Sequence, residues 1–269
     1  FNPYKRRIPY QLSSSGEYVL NQMYNLKEPD NETVSPLLMF FCALVLPFCF
    51  QLLIICRNKR KYYHRYHQHQ HHQQQQQQND DDDDDDDDDN DIHKTLCVYL
   101  MSIGVTQSLT NIAKLYCGYL RPIFYEMCQP NQDSYEQQSC EGNQERQSRL
   151  SFPSGHASFS VCGLLVFSYY LERVYGISNS CYNMNKNNNN NNNSSNNNTT
   201  TTTTSSRRRR HHLPIQLVRI VSIVCYTPML LAFFICISRV HDNFHHPADI
   251  IGGALLGGSI ATVVFNTWY

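Results

Sequence analysis

The chain has 269 residues, of which 41% are hydrophobic, and its 22 Lys and Arg nearly balance 23 Asp and Glu. Its mean hydropathy of -0.49 is typical of a soluble protein, but His64–Asp91 and Asn183–His212 contain one hydrophobic residue each. Without these two blocks the hydrophobic fraction rises to about 51%, which excludes a uniform soluble domain. The net charge of -1 depends on the acidic run Asp80–Asp89, so near-neutrality indicates nothing about partners.

Five apolar segments follow one another along the chain. Each is close to the length of about 20 residues that a helix needs to cross the hydrocarbon core of a bilayer. The first contains Pro47, which membrane helices tolerate. The last carries the small residues Gly253, Gly257 and Ala261 at four-residue spacing, a stripe that lets membrane helices pack closely. The sequence therefore predicts an all-α, polytopic membrane helix bundle. The predicted spans are Leu37–Cys56, Thr95–Ala113, Ala157–Tyr175, Ile215–Ile237 and Ala248–Thr267.

These spans divide the chain into loops that alternate between the two membrane faces. Lys and Arg are concentrated beside membrane ends at Arg57–Arg65 and Arg207–Arg210, which places those loops in the cytosol. The predicted organisation is a noncytosolic loop over 1–36, a transmembrane helix over 37–56, cytosolic loops over 57–94 and 176–214, and a core in two parts over 95–175 and 215–269. The His/Gln, Asp, Asn and Thr runs of the two cytosolic loops are predicted to be disordered inserts.

The eleven cysteines include no CxxC pair and no cluster of soft ligands at short spacing, so the sequence predicts no metal site. Two of them, Cys128 and Cys140, lie in a polar loop on the predicted noncytosolic face. If that loop faces an oxidising compartment, a disulfide between them is plausible.

Polar clusters lie at three membrane ends of that same face. Lys114 and Arg121 are seven residues apart and would share one side of a helix if the second span continued that far. Ser154, Gly155 and His156 follow a tight turn just before the third span. Backbone N–H groups and a hydroxyl near a helix start favour an anion.

The third cluster connects the fourth and fifth spans and contains Arg239, His245 and Asp249. A carboxylate one helical turn from an imidazole can fix its tautomer and raise its basicity. Each cluster alone has an ordinary explanation, such as an interfacial anchor, a helix cap or a surface histidine. The predicted crossings nevertheless bring all three to one membrane face, where cations, imidazoles and a carboxylate together suit chemistry on a phosphoryl group.

With these motifs the sequence resembles the type 2 phosphatidic acid phosphatases, or lipid phosphate phosphatases. Their signature K-x6-RP, PSGH and SR-x5-H-x3-D is matched in order by Lys114–Pro122, Pro153–His156 and Ser238–Asp249. The resemblance covers Thr95 to the C-terminus and, more loosely, the NETVSP stretch that begins at Asn31. It implies an integral membrane enzyme that hydrolyses phosphatidate to diacylglycerol and phosphate, with roles in phospholipid metabolism and lipid signalling.

The resemblance also implies a role for each signature residue. His245 would attack phosphorus to give a phosphohistidine, Asp249 would orient His245, and His156 would protonate the leaving alkoxide and then activate water. The implied ligands of the phosphoryl oxygens are Lys114, Arg121, Ser154, Gly155 and Arg239. No metal or other cofactor and no nucleic-acid partner is implied, and the active site is expected on the extracellular or luminal face.

Family members usually have six spans with both termini in the cytosol, so a first span is expected to precede the five seen here. Several functions stay open from the sequence. The same chemistry could act on lysophosphatidate, a sphingoid-base phosphate or a lipid diphosphate. A noncatalytic lipid-binding protein is disfavoured because His156, His245 and Asp249 are all present. A channel or transporter is disfavoured because the ionisable groups cluster at one face instead of following the bilayer depth.

Overall fold

The structure, a computed structural model, describes residues 2–57, 60, 85–130, 140–175 and 215–269, without the side chains of 85–92 and 215–218. Most of the first predicted insert and all of the second lie outside the described residues. Strands β1 (Tyr10–Leu12) and β2 (Tyr18–Leu20) form an antiparallel hairpin. The helices are α1 Pro36–Arg57, α2 Asp85–Cys117, α3 Phe124–Cys128, α4 Glu145–Ser148, α5 Gly155–Val174, α6 Ile215–Cys225, α7 Pro228–His241 and α8 Pro247–Trp268.

The long helices form a bundle, which confirms the predicted helical membrane fold. Four stretches of the described chain are long and apolar enough to cross a membrane: Pro36–Arg57, His93–Cys117, Arg219–His241 and Pro247–Trp268. The other predicted span forms as α5, a 20-residue helix at the centre of the bundle, packed against α2, α7 and α8. Its buried surface includes Ser158, Ser160 and Ser168. A helix surrounded by other helices needs less apolar surface than one that faces lipid, and its crossing of the membrane stays a prediction.

Small residues on α8 allow this helix to lie directly against α5. A Cβ added at Gly253 would lie 2.5 Å from the carbonyl oxygen of Ser154, and one at Gly257 would lie 2.2 Å from that of Ser158. Ala261 on the same stripe is fully buried. The predicted close packing is confirmed, and it fixes the start of α5 against the first turns of α8.

We expect Gly257→Ala to destabilise the bundle, because the new methyl group meets the backbone of α5, which cannot move aside. Overpacking of this kind costs about 1–3 kcal/mol. Gly258→Ala is the matched control, since its Cβ would lie 3.7 Å from Cγ1 of Val161, an ordinary contact. Thermal unfolding of the two variants in the same detergent checks the prediction, which equal midpoints would contradict.

Two predicted spans differ in detail from the structure. Helix α2 begins at Asp85, ten residues before the predicted start at Thr95, so Asp85–Asp91 of the first insert is helical. Acidic residues are favoured at a helix N-terminus because the helix dipole places partial positive charge there. The fourth predicted span is two helices, α6 and α7, separated at Tyr226 and Thr227. Pro228 lacks the N–H that would continue α6 and instead lies in the first turn of α7.

Helix α2 ends at Cys117, so the condition under which Lys114 and Arg121 would share one side of a helix is not met. Gly118 has a φ of +53°, a left-handed conformation that terminates helices and that glycine adopts without strain. The N-terminal segment packs tightly here, because a Cβ at Gly118 would collide with the carbonyl oxygen of Tyr4. The backbone N–H of Tyr4 donates to the carbonyl of Leu115 at 2.9 Å.

A polar cap, made of residues 2–35, 118–130 and 140–153, covers this end of the bundle. Its small core contains Ile8, Leu120, Phe124, Tyr125 and Cys128. Cys128 and Cys140 form a disulfide, which the sequence alone left open. The cap therefore lies over the bundle end at which all three polar clusters occur.

Candidate active site

A cavity of about 290 Å³ lies between the cap and the bundle. Its wall contains members of all three signature clusters: Lys114, Arg121, His156, Arg239 and His245. The cap and the helix connectors contribute the rest of the wall, which includes Glu28, Glu32, Met127, Gln147 and Phe244. Three cationic side chains and two imidazoles from positions up to 131 residues apart therefore share one polar cavity.

His245 is buried and faces a carboxylate. Its Nδ1 lies 3.5 Å from Oδ2 of Asp249, and the two side chains are 3% and 0% exposed. This distance is slightly longer than a hydrogen bond, as is common for catalytic contacts before substrate binds. With Nδ1 turned toward Asp249, Nε2 is the ring nitrogen left for reaction.

Asp249 is itself held by two further donors. Its Oδ2 accepts from the Ser151 hydroxyl at 2.5 Å and from the backbone N–H of His246 at 2.9 Å. Sequence reasoning missed Ser151, although it lies three residues before Ser154 in the same motif. A carboxylate bonded in this way has a fixed orientation toward His245.

Burial lowers the pKa of His245 below its ordinary value, because desolvation disfavours the charged ring. The positive charges of Arg121 and Lys114 lower this pKa further, while Asp249 opposes the shift. His245 is therefore neutral at pH 7, which is the form that can act as a nucleophile.

His156 lies in the first turn of α5 and lines the cavity. Its buried Nε2 has no hydrogen-bond partner among the described residues. Ser154 is the N-cap of this helix, and its Oγ accepts from the N–H of Ala157 at 3.4 Å. A Cβ at Gly155 would lie 3.6 Å from Nζ of Lys114, so this ammonium group lies beside the helix start. Both the ammonium group and the helix dipole favour an anion at this position.

Arg121 follows α2 in the connector and is held by two carbonyl groups. Its Nε donates to Gln147 at 2.9 Å and its Nη1 donates to Phe244 at 3.2 Å. Burial lowers the pKa of Arg121 to about 10, so the guanidinium keeps its charge at neutral pH.

Arg239, at the end of α7, is 2% exposed and has an acidic partner that sequence reasoning missed. Its Nη2 lies 2.7 Å from Oδ2 of Asp242, and its Nη1 lies 3.4 Å from Glu32. Burial by itself would raise the pKa of Asp242, but hydrogen bonds from Thr33 and His241 and the charge of Arg239 lower it overall. The available signal was the i,i+3 spacing of Arg239 and Asp242 on one helical turn.

The structure thus places all eight predicted site residues at one end of the bundle. Gly155 and Asp249 lie immediately behind the cavity wall, beside Lys114 and His245, and Ser154 is the N-cap of the helix that carries His156. In the described ranges no group of three or more His, Cys, Asp or Glu side chains could hold a metal ion.

This arrangement of signature residues on a helical membrane bundle agrees with the comparison to known families. The PAP2 superfamily matches residues 95–269, and the chain belongs to this superfamily. No solved structure matches the chain.

Similar proteins carry phosphatase names. Mouse phospholipid phosphatase 1 is 41% identical over 90 residues, which cover 30% of this chain and 32% of the relative. Lipid phosphate phosphatase 1 of Arabidopsis thaliana is 28% identical over 185 residues, covering 66% of this chain and 46% of the relative. A putative phosphatidate phosphatase of Drosophila melanogaster is 26% identical over 194 residues, covering 65% and 41%. The matched regions thus span less than half of these relatives' lengths.

Proposed function

We propose that this chain is an integral membrane phosphatase that hydrolyses phosphatidate to diacylglycerol and inorganic phosphate. The observation that carries the proposal is the cavity shared by Lys114, Arg121, Arg239, His156 and His245. Its cations match the charge of a phosphate monoester, and its two imidazoles supply a nucleophile and a proton donor.

The first step transfers the phosphoryl group to the enzyme. The lone pair of His245 Nε2 attacks phosphorus while the bond between phosphorus and the glycerol oxygen breaks. Burial and the nearby cations lower the pKa of His156 before substrate binds, and the negative charge of the bound phosphate favours its protonation. His156 then gives this proton to the departing oxygen, which releases diacylglycerol. The phosphorylated imidazole carries a positive charge, which the carboxylate of Asp249 stabilises.

The second step returns the enzyme to its initial state. Neutral His156 takes a proton from water as the water oxygen attacks phosphorus. The electron pair of the N–P bond returns to Nε2 of His245, and inorganic phosphate is released. Lys114, Arg121, Arg239 and the N–H groups at the start of α5 neutralise the phosphoryl oxygens throughout, so that no metal ion is required.

The substrate class follows from the position of the cavity and from the relatives. The cavity lies at one end of the bundle, where the proposed spans leave the membrane and where the headgroup of a lipid would lie. The relatives are named as phosphatases of phospholipids, lipid phosphates or phosphatidate. Lysophosphatidate, sphingoid-base phosphates and lipid diphosphates present the same phosphoryl group. Competition among these lipids in one assay ranks them.

We place the active site on the extracellular or luminal face. The disulfide of Cys128 and Cys140 belongs to the same cap as the cavity wall residues Met127 and Gln144, and disulfides persist in oxidising compartments. An epitope inserted at Asn143 should be protected from protease in sealed microsomes. Cleavage before detergent is added would place the cavity in the cytosol.

Phosphate release from phosphatidate by the purified protein tests the proposed function. We expect turnover to change by less than about twofold when EDTA replaces magnesium, because the cavity supplies fixed cations in place of a metal ion. Bound phosphatidate that is never cleaved would instead support the noncatalytic lipid-binding alternative. Loss of activity in EDTA that magnesium restores would contradict the proposed mechanism.

A further inference from the structure

We infer that Asp242 and Thr33, which lie outside the signature residues, are positioning residues for Arg239 in phosphate binding. This inference rests on the proposed function, since it assigns to Arg239 a phosphoryl oxygen as ligand. It extends the site to the segment before α1, which lies outside the region 95–269 that the superfamily matches.

Asp242 connects Arg239 to the segment before α1. Its Oδ2 accepts from Nη2 of Arg239 at 2.7 Å and from the backbone N–H of Thr33 at 2.9 Å. Its Oδ1 accepts from the Thr33 hydroxyl at 2.5 Å and lies 3.2 Å from Nδ1 of His241. The Asp242 side chain is 1% exposed, so both of its oxygens are used in a buried contact and little freedom remains.

Thr33 is fixed by the two residues that follow it in the chain. Val34 is buried in the main core cluster together with Ala43 and Ala157. Ser35 is the N-cap of α1, and its Oγ accepts from the N–H of Leu38 at 3.2 Å. The hydroxyl of Thr33 is therefore presented to Asp242 by the bundle itself.

The contacts of Arg239 leave part of its guanidinium for a ligand. A guanidinium has five N–H donors. Nε donates to Ser238 at 3.3 Å, Nη1 to Glu32 at 3.4 Å and Nη2 to Asp242 at 2.7 Å, so each nitrogen uses one donor. The second N–H of each terminal nitrogen is not used by these contacts, and Arg239 forms part of the cavity wall. A guanidinium held at each of its nitrogens is preorganised for phosphate oxygens that reach its two unused N–H groups.

The test compares Thr33→Val with Thr33→Ser, because valine keeps the shape of threonine but lacks the hydroxyl that serine retains. We expect Thr33→Val to raise the Ki of inorganic phosphate and the KM of phosphatidate by about 5- to 10-fold, while Thr33→Ser stays within about twofold of the parent. Asp242→Asn should lower kcat/KM by about 10- to 100-fold, since it removes the charged acceptor of Arg239.

A double mutant separates positioning from general stability. If Thr33 acts through Arg239, Thr33→Val should change the residual phosphate affinity of an Arg239→Ala protein by less than about twofold. An equal loss in both backgrounds, or unchanged phosphate affinity in Thr33→Val, would overturn the inference.

Phosphate binding is also measured without turnover, as the rise in the thermal unfolding midpoint of the purified protein with phosphate concentration. A parent protein that binds phosphate in this way but releases none from any lipid phosphate would contradict the proposed function and leave the positioning inference intact. A parent that neither binds nor releases phosphate would overturn both.

Discussion

His245→Ala is expected to abolish phosphate release from phosphatidate, with a fall in kcat of about 10⁴-fold or more, since it removes the side chain proposed to form the covalent intermediate. The reason is geometric. His245 is the imidazole that faces a buried carboxylate on one side and the cavity on the other. Brief incubation with ³²P-labelled phosphatidate followed by an alkaline quench should label the parent protein and leave the variant unlabelled.

The control for this variant is His93→Ala. His93 is exposed and lies in α2, far along the helix from Lys114 and outside the cavity wall, so its removal should leave turnover unchanged. The thermal unfolding midpoints of both variants verify that they are folded. Normal turnover by a folded His245→Ala protein would rule out His245 as the nucleophile.

His156→Ala is expected to slow phosphatidate hydrolysis by about 10²- to 10⁴-fold, the range of general acid–base catalysis. The size of the effect should depend on the leaving group. A glycerol alkoxide needs a proton as it departs, whereas p-nitrophenolate leaves as a stable anion. The first turnover of p-nitrophenyl phosphate should therefore slow by less than about tenfold, because transfer to His245 no longer needs an acid.

The second half of the reaction gives this variant a distinct signature. Without His156 to activate water, the phosphohistidine should accumulate, giving a burst of one p-nitrophenolate per enzyme followed by slow turnover. The acid-labile label on the protein should exceed that of the parent, and adding His245→Ala should remove it. Equal rate losses for both substrates, with no burst, would contradict the acid–base role of His156.

Most of the fold class was predictable from the sequence because a membrane helix requires a continuous run of apolar residues. A run of about 20 apolar residues is sufficient to predict a span, and all five predicted segments are helical in the structure. The break at Pro228 and the end of α2 at Gly118 were harder to predict. Proline and glycine have local signals, but whether they kink, cap or divide a helix depends on what packs beside them.

The candidate site was predictable to a similar extent. The signature residues Lys114, His156 and His245 were identified from their spacing and from the resemblance. Asp242 was not, because an aspartate three residues after an arginine is common on exposed helices. Its significance depends on Thr33, which lies 209 residues away in the sequence.

The sequence by itself determined that this protein is a helical membrane protein of the PAP2 superfamily, and which residues carry the superfamily's motifs. Only the tertiary structure decided that these residues share one cavity under a disulfide-bonded cap, and that Asp242 connects Arg239 to Thr33 in the segment before α1. The physical reason is that apolar periodicity and motif spacing are local properties of the chain. Contacts between distant segments depend on how closely the helices approach, which here is set by glycines 253 and 257 against α5.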